Sequence, residues 1–435
     1  MKWVVRVTFP KLSVSLPYWQ NRPPLDALAV AEAAEKLAYH RLWIGEMATF
    51  DAFALATAIG RSPGRMPLCL GPLPIGVRTP ATIAMGAATV AALTGRPVDL
   101  ALGTSSTVLV RDWHGRRRHR TARHLDETTR IVGALLAGEK VEYDGLIERT
   151  RGFRLRLPAL RPTRAHAVLG SGAAARGWPS VGSTTGRGPS TGDRPSAAHR
   201  AAPADVGPGG EIAVAAFGER ALDVAARCAD RVVLNLVTPA QTARCVTAIG
   251  EFAARAGRAA PPVSVWVTAG ADPDADMFTT VRSGVVGYLR APGYDAMFTE
   301  AGFGEVVRLA HGGAHPRDVL AAIPDELPAA VGMFGDPATL AARLGTYRDA
   351  GADEVVVVPV TTAADPAGYR TLDALAAIRE SATRPGAELR GRLLPGSGSG
   401  PHANGASRSG SGPATGEVPR FETPGAAGDS AGSGR

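Results

Sequence analysis

At 435 residues, 45% of them hydrophobic, the chain can bury a full core, as two or three average domains or as one barrel of about 250 residues with additions. The net charge is +8, but lysine occurs only at Lys2, Lys11, Lys36 and Lys140, and the arginines scatter through Pro- and Gly-rich segments, which argues against a nucleic-acid-binding face. No window approaches the ~18 uninterrupted apolar residues of a membrane span, Cys69, Cys228 and Cys245 share no metal-ligand spacing, and nothing reads as a signal peptide, so a reduced, cytoplasmic protein without membrane partners is expected.

In chain order, short apolar or β-branched runs alternate with Ala-rich helical segments. Trp3–Phe9 reads as a strand and Pro24–Ala38 as a helix entered through a proline. Leu42–Glu46 is the second strand, followed by a helix from Asp51, a good cap, to Ile59. Leu68–Gly71 is the third, and Thr79-Pro80 opens the helix that ends near Leu93. The fourth strand, from Val98, is a continuous apolar run closed by Gly103, the pattern of a parallel strand covered on both faces. A helix over Arg123–Leu136 follows, then extended structure over Val141–Leu157 with a turn at Asp144-Gly145.

Residues 161–210 are rich in Gly, Ala, Pro, Ser, Thr and Arg and offer too little apolar surface to order themselves, so they read as a low-complexity insertion. The alternation then resumes with strands at Glu211–Phe217, Arg231–Asn235, Val263–Thr268 and Glu354–Pro359. Helices are expected at Glu219–Cys228, Pro239–Ala256 and Asp365–Glu380, with a longer helical excursion over Asp272–Leu327. Eight strands, each followed by helix, and no glycine-rich dinucleotide turn after the first, predict a (β/α)8 TIM barrel. Residues 1–160 form its first half, 211–382 its second, and 383–435 a Gly/Ser/Pro-rich disordered tail.

Barrels place their chemistry at the carboxyl ends of the strands, so Gly103, Thr104, Ser105 and Ser106 are the first site candidates. Beyond them, Arg111, Arg116–Arg120 and Arg123 form either a solvated rim or an attractor for an anionic cofactor tail. His114, beside Trp113, is a proton-donor candidate or a plain loop histidine, and Glu46 either faces the pocket or pairs with a rim arginine. His311 and His315 have the spacing of a helical metal pair, but Gly312, Gly313 and Pro316 break a helix there, so no metal is expected.

Several stretches together resemble the luciferase-like monooxygenase superfamily, in particular its F420-dependent oxidoreductase branch. They are Leu42-Trp-Ile-Gly-Glu46, Gly76-Val-Arg-Thr-Pro80, Leu102-Gly-Thr-Ser-Ser106 with Asp112-Trp-His-Gly115, Ala215-Ala-Phe-Gly218, Cys228–Asn235, Phe334-Gly-Asp-Pro337 and Ala350-Gly-Ala-Asp-Glu354. The resemblance covers roughly residues 1–160 and 211–380 and implies a barrel that holds a flavin or deazaflavin across its carboxyl mouth. It implies cofactor contacts from Gly71-Pro72, where the family often has a cis peptide, from Gly103–Ser106, and from Ala215, Ala216, Phe217 and Gly218 around the phosphate. His114 and Glu46 are the catalytic candidates, and Phe9, Met47 and Trp113 are expected to meet the substrate. Where the superfamily's sugar-phosphate dehydrogenases carry an acid–base histidine and glutamate, this chain has Met47 and Ser105 or Ser106, which speaks against that reaction. The implied activity is hydride exchange between coenzyme F420 and a small organic substrate; alternatives are an FMN-dependent monooxygenase or a non-catalytic cofactor binder, and a homodimer is the assembly to test.

Overall fold

The computed structural model describes residues 9–17, 22–46, 48–156, 210–216 and 218–383. The expected strand Trp3–Phe9 lies outside them except for Phe9, as do Met47, Phe217, the insertion as far as residue 209 and the tail from residue 384. The described residues belong to one compact unit.

The first barrel strand is β1, Lys11–Ser15, eight residues downstream of the expected start. β2 (Leu42–Ile44), β3 (Leu68–Pro74), β4 (Val98–Gly103), β7 (Ile212–Ala215), β8 (Arg231–Asn235), β9 (Val263–Ala271) and β11 (Glu354–Pro359) complete it. Every pairing around the ring is parallel, and β11 closes on β1 with Lys11 beside Glu354 and Val14 beside Val357. Between β4 and β7, β5 (Val141–Asp144) and β6 (Arg149–Phe153) make an antiparallel hairpin, as the Asp144-Gly145 turn predicts. A short β10 (Met333–Gly335) extends the sheet beside the end of β9.

The covering helices begin where the sequence supplies caps. Asp51 accepts from the Ala54 amide 2.9 Å away to open α2 (Ala52–Arg61), and Thr79 with Pro80 opens α3 (Pro80–Thr94). α1 (Asp26–Lys36), α4 (Thr121–Leu136), α5 (Glu219–Cys228) and α6 (Pro239–Arg255) follow their strands, with a capping box at Thr238 and Gln241. The excursion after β9 divides into α7 (Ala275–Val286), α8 (Tyr294–Phe298), α9 (Gly304–His311), α10 (Pro316–Ala322) and α11 (Glu326–Val331), with a small core of its own around Leu289, Phe298, Val306 and Leu327. α12 (Pro337–Asp349) and α13 (Tyr369–Thr383) finish the shell.

Alternate strand residues face the helices or the barrel axis. Leu12, Leu42, Leu68, Leu100, Val232 and Val355 point outward into the main core, all at most 1% exposed. Inward, Trp43, Cys69, Ala101, Ala213, Val233, Trp266 and Val356 fill the barrel, with Trp43 and Trp266 meeting edge to face at 5.8 Å. The amino end is plugged by charge: Arg41 contacts Asp99 at 3.0 Å and Glu211 at 3.1 Å, and Arg231 contacts Glu211 at 2.9 Å and Glu354 at 3.4 Å. Glu354 also accepts from Ser13, from Ser264 at 2.6 Å and from Trp43 at 3.3 Å. This network explains the displaced first strand, because Ser13 and Ser15 are fully buried polar residues that an apolar pattern cannot flag.

Candidate active site

Two residues beyond the Trp43–Trp266 layer, the inward positions on β1, β2, β3, β4 and β7 are the small residues Ser15, Gly45, Gly71, Gly103 and Ala215, while β8, β9 and β11 place Asn235, Thr268 and Val358 opposite them. Neighbouring β3, β4 and β7 bring three of the expected contact segments together. A side chain begun at Gly103 would put its Cβ 3.2 Å from that of Pro72 and 3.6 Å from that of Ala215. Gly71 has φ +125°, its peptide to Pro72 is cis, and a Cβ there would collide with the Ala101 carbonyl oxygen, so only glycine fits. Ser15 Oγ, fully buried on the inward face, has no hydrogen-bond partner among the described residues.

After β4 the chain turns through Ser105, a non-glycine residue at φ 54°, into a π-helical turn over Val108–Trp113 whose Leu109 amide donates to Ser106 Oγ at 3.1 Å. Arg118 folds back onto this turn, donating from Nε to the Ser105 carbonyl at 3.0 Å and from Nη2 toward Thr104 Oγ1 at 3.5 Å. On β7, Ala215 is half-buried and the Ala216 amide donates to Val233 O at 3.1 Å. Gly218 is the exposed N-cap of α5, in extended conformation with open space around its Cβ position, and no side chain caps the helix start. Phe217 lies outside the described residues.

The two catalytic candidates are not brought together. Glu46 is engaged by Arg78, Nε to Oε1 at 2.9 Å and Nη2 to Oε2 at 2.6 Å, and it also accepts from the Ala52 amide at 3.2 Å. Arg78 bridges to Asp51 as well and stacks on the Phe53 ring at 4.8 Å, so Glu46 ties the start of α2 to the loop before α3. Of its two expected settings, the rim pair is the one observed. His114 ends the π-helical turn in an exposed position, beside a Trp113 that is 57% exposed. Phe9 precedes β1 and therefore stands at the amino end, against Arg348 at 5.9 Å, on the side opposite the mouth. His311 pairs with Asp295 at 3.3 Å, while His315 caps α10 by accepting from the Arg317 amide; among the described residues no acidic, His and Cys cluster suits a metal.

The mouth also holds groups that sequence reasoning passed over. Asn235, inward-facing at the end of β8, donates to the Tyr294 hydroxyl at 3.1 Å, and Tyr294 meets Tyr288 edge to face at 4.8 Å. Burial pushes both phenols above their ordinary pKa, so they stay protonated at neutral pH. Tyr294 stands 59 residues from Asn235 in a segment without motif, and no sequence signal connects the two.

The sequence profile of the luciferase-like monooxygenases matches residues 8–354. The chain belongs to this family. Among solved structures, this luciferase-like chain resembles the coenzyme F420-dependent tetrahydromethanopterin reductase of Methanopyrus kandleri, with a TM-score of 0.64 at 16% identity over 85% of this chain and 98% of that one. It also resembles an F420-dependent secondary alcohol dehydrogenase, TM-score 0.62 at 14% identity over 87% and 100% of the two chains. The FMN-bound 3,6-diketocamphane monooxygenase component of Pseudomonas putida gives 0.56 at 16% identity over 85% and 97%. At these identities the likeness concerns the fold. In sequence, a Mycobacterium tuberculosis protein named as a coenzyme F420-dependent oxidoreductase is 30% identical over 129 residues, which span 30% of this chain and 37% of that protein.

Proposed function

We propose that this luciferase-like protein is an oxidoreductase that exchanges a hydride between coenzyme F420 and a small organic substrate. The observation that carries the reading is the arc of small inward residues on five adjacent strands, Ser15, Gly45, Gly71, Gly103 and Ala215, above the Trp43–Trp266 layer. A flat tricyclic ring needs such a slot, and the Ser15 hydroxyl, without a partner among the described residues, is a buried polar group suited to a ligand atom. The backbone of Gly71-Pro72 and Gly103–Ser106 would border the ring, and the uncapped start of α5 at Gly218 would face the phosphate. The cofactor, when bound, supplies two-electron hydride chemistry. The chain's own contribution is position, exclusion of water, and neutral hydrogen-bonding groups at Asn235, Tyr288 and Tyr294, which suit a carbonyl or hydroxyl substrate.

The F420-dependent name of the partial relative supports this cofactor over FMN, as does the arginine-rich loop after β4, since F420 carries anionic groups beyond its phosphate. Titrating the purified protein with each cofactor, then assaying turnover of activated alkenes and carbonyls, tests the reading. Tighter FMN binding with oxygen-dependent turnover overturns it in favour of a monooxygenase, and binding without turnover in favour of a carrier.

Three free cysteines accord with a reduced, cytoplasmic setting, and among the described residues no helix is long and apolar enough to cross a membrane. We also propose that two copies pair through α3, which has no charged residue and exposes Met85 and Leu93 beside a groove of about 340 Å³ lined by Phe53, Thr57 and Gly86. Sedimentation of the wild type and of Met85→Glu decides this: a dimer made monomeric supports it, and a wild-type monomer refutes it.

A further inference from the structure

The arginines after β4 look alike in sequence, yet the structure separates them. Arg111 pairs with Asp112 at 2.7 Å, Arg123 pairs with Glu127 at 2.6 Å, and Arg116, Arg117 and Arg120 are exposed. Arg118 alone in this loop is half-buried, and among the described residues no carboxylate lies within ion-pair distance of it.

Several other guanidiniums that leave water are compensated. Arg41, Arg96 and Arg231 face carboxylates, and Arg343 and Arg379 cap the carbonyl ends of α11 and α1, where the helix dipole is negative. Arg118 has neither. Its two acceptors, Ser105 O and Thr104 Oγ1, are neutral, and they precede a helical turn, at its positive end. Burial alone acts on its pKa, lowering it. Two hydrogen bonds leave further guanidinium N–H groups without an acceptor among the described residues, on the turn that follows Gly103, the residue whose Cβ position approaches Pro72 and Ala215.

We infer that Arg118 is the anion-recognition residue of the carboxyl mouth, and that it takes a carboxylate or phosphate of the ligand bound against Gly103–Ser106. The inference rests on the proposed function for the place of the ligand, while the anion itself comes from the cofactor or from the substrate. The carbonyl of Ser105, held at positive φ, fixes the guanidinium plane, so the planar fork is set before the anion arrives.

The test is fluorescence-monitored binding to the full chain, wild type, Arg118→Gln and Arg118→Lys, of F420 and FMN, each paired with its phosphate-free counterpart, deazariboflavin or riboflavin. Charge-assisted hydrogen bonds of this kind change affinity by roughly ten- to a hundredfold. The expected result is a loss of that size for the anionic cofactor in Arg118→Gln, partial recovery in Arg118→Lys, and equal binding of the phosphate-free counterpart to all three proteins. Unchanged cofactor affinity with lost calorimetric binding of inorganic phosphate or acetate assigns the anion to the substrate. Unchanged binding of every probe overturns the inference. A wild type that prefers FMN refutes the cofactor choice; an FMN–riboflavin difference lost in Arg118→Gln then places the phosphate on Arg118, and one that persists there, with phosphate and acetate binding also unchanged, overturns the inference.

Discussion

Replacing Glu354 with alanine is expected to destabilise the barrel by about 3–5 kcal/mol without touching ligand binding. The carboxylate is 0% exposed at the amino end of β11 and accepts from Ser13, Ser264 and Trp43 while lying 3.4 Å from Arg231 and 3.8 Å from Arg41. Alanine leaves three donors unsatisfied and a cavity where the side chain was, each lost acceptor being worth roughly 1 kcal/mol or more. Relief acts in the other direction, because three carboxylates, Asp99, Glu211 and Glu354, share two arginines. The loss wins: burial alone would raise the Glu354 pKa, yet Arg41, Arg231 and the serine hydroxyls hold it below the usual glutamate range, so attraction outweighs desolvation. A depressed folded pKa contributes stability that is present above the unfolded value near 4.5 and is lost as pH falls through the folded one. Denaturant titration at pH 7 should therefore show the full loss, calorimetry a fall in Tm of about 6–15 °C, and the gap between wild type and variant should narrow toward pH 3. A loss under about 1 kcal/mol at pH 7, or a gap that does not change with acid, would refute the argument.

Asp99 has the opposite sign. Burial, opposed by Arg41 and reinforced by Glu211, pushes its carboxyl up to about 6, with Arg231 and Cys69 also nearby. Because the folded pKa exceeds the unfolded value of 3.8, stability should decline as pH rises from about 4 to about 6 and level off above, by up to about 3 kcal/mol. Asp99→Asn removes that slope; an unchanged slope in the unfolding free energy counts against the assignment. Gly218→Val meets open space in the protein, so Tm should hold within about 2 °C while cofactor affinity falls at least about tenfold, and equal affinity would place the phosphate elsewhere. Gly103→Val is expected to press on Pro72 and Ala215 and to weaken cofactor binding at least about tenfold, as measured by fluorescence titration. Exchanging residues 163–208 for a short Gly/Ser linker should leave Tm and cofactor affinity nearly unchanged, since their composition offers little apolar surface against ~1–2 kcal/mol per ordered residue; a large drop in either refutes this.

The chain by itself determined the elements whose signals are local. Asp51, Thr79-Pro80 and Thr238-Pro239 mark helix starts within one turn of the helices they open, and the runs at Val98–Leu102, Arg231–Asn235 and Glu354–Pro359 are strands because both their faces need covering. Their alternation was enough for a barrel, and the glycines at 71 and 103 stand within β3 and at the carboxyl end of β4 in tight surroundings. What closed tertiary structure decided was direction. Ser13 reads as surface until Glu354, 341 residues away, meets it inside the barrel, and that contact sets the first strand at Lys11–Ser15. Glu46 acquires Arg78 from another βα loop, His114 turns to solvent, and Arg118 separates from five similar arginines, because a loop side chain's facing depends on backbone geometry that residue identity does not encode. Asn235 and Tyr294 become neighbours only when the excursion after β9 folds back over the mouth; periodicity reports which face of an element is apolar, and only closure of the barrel reports what stands opposite it.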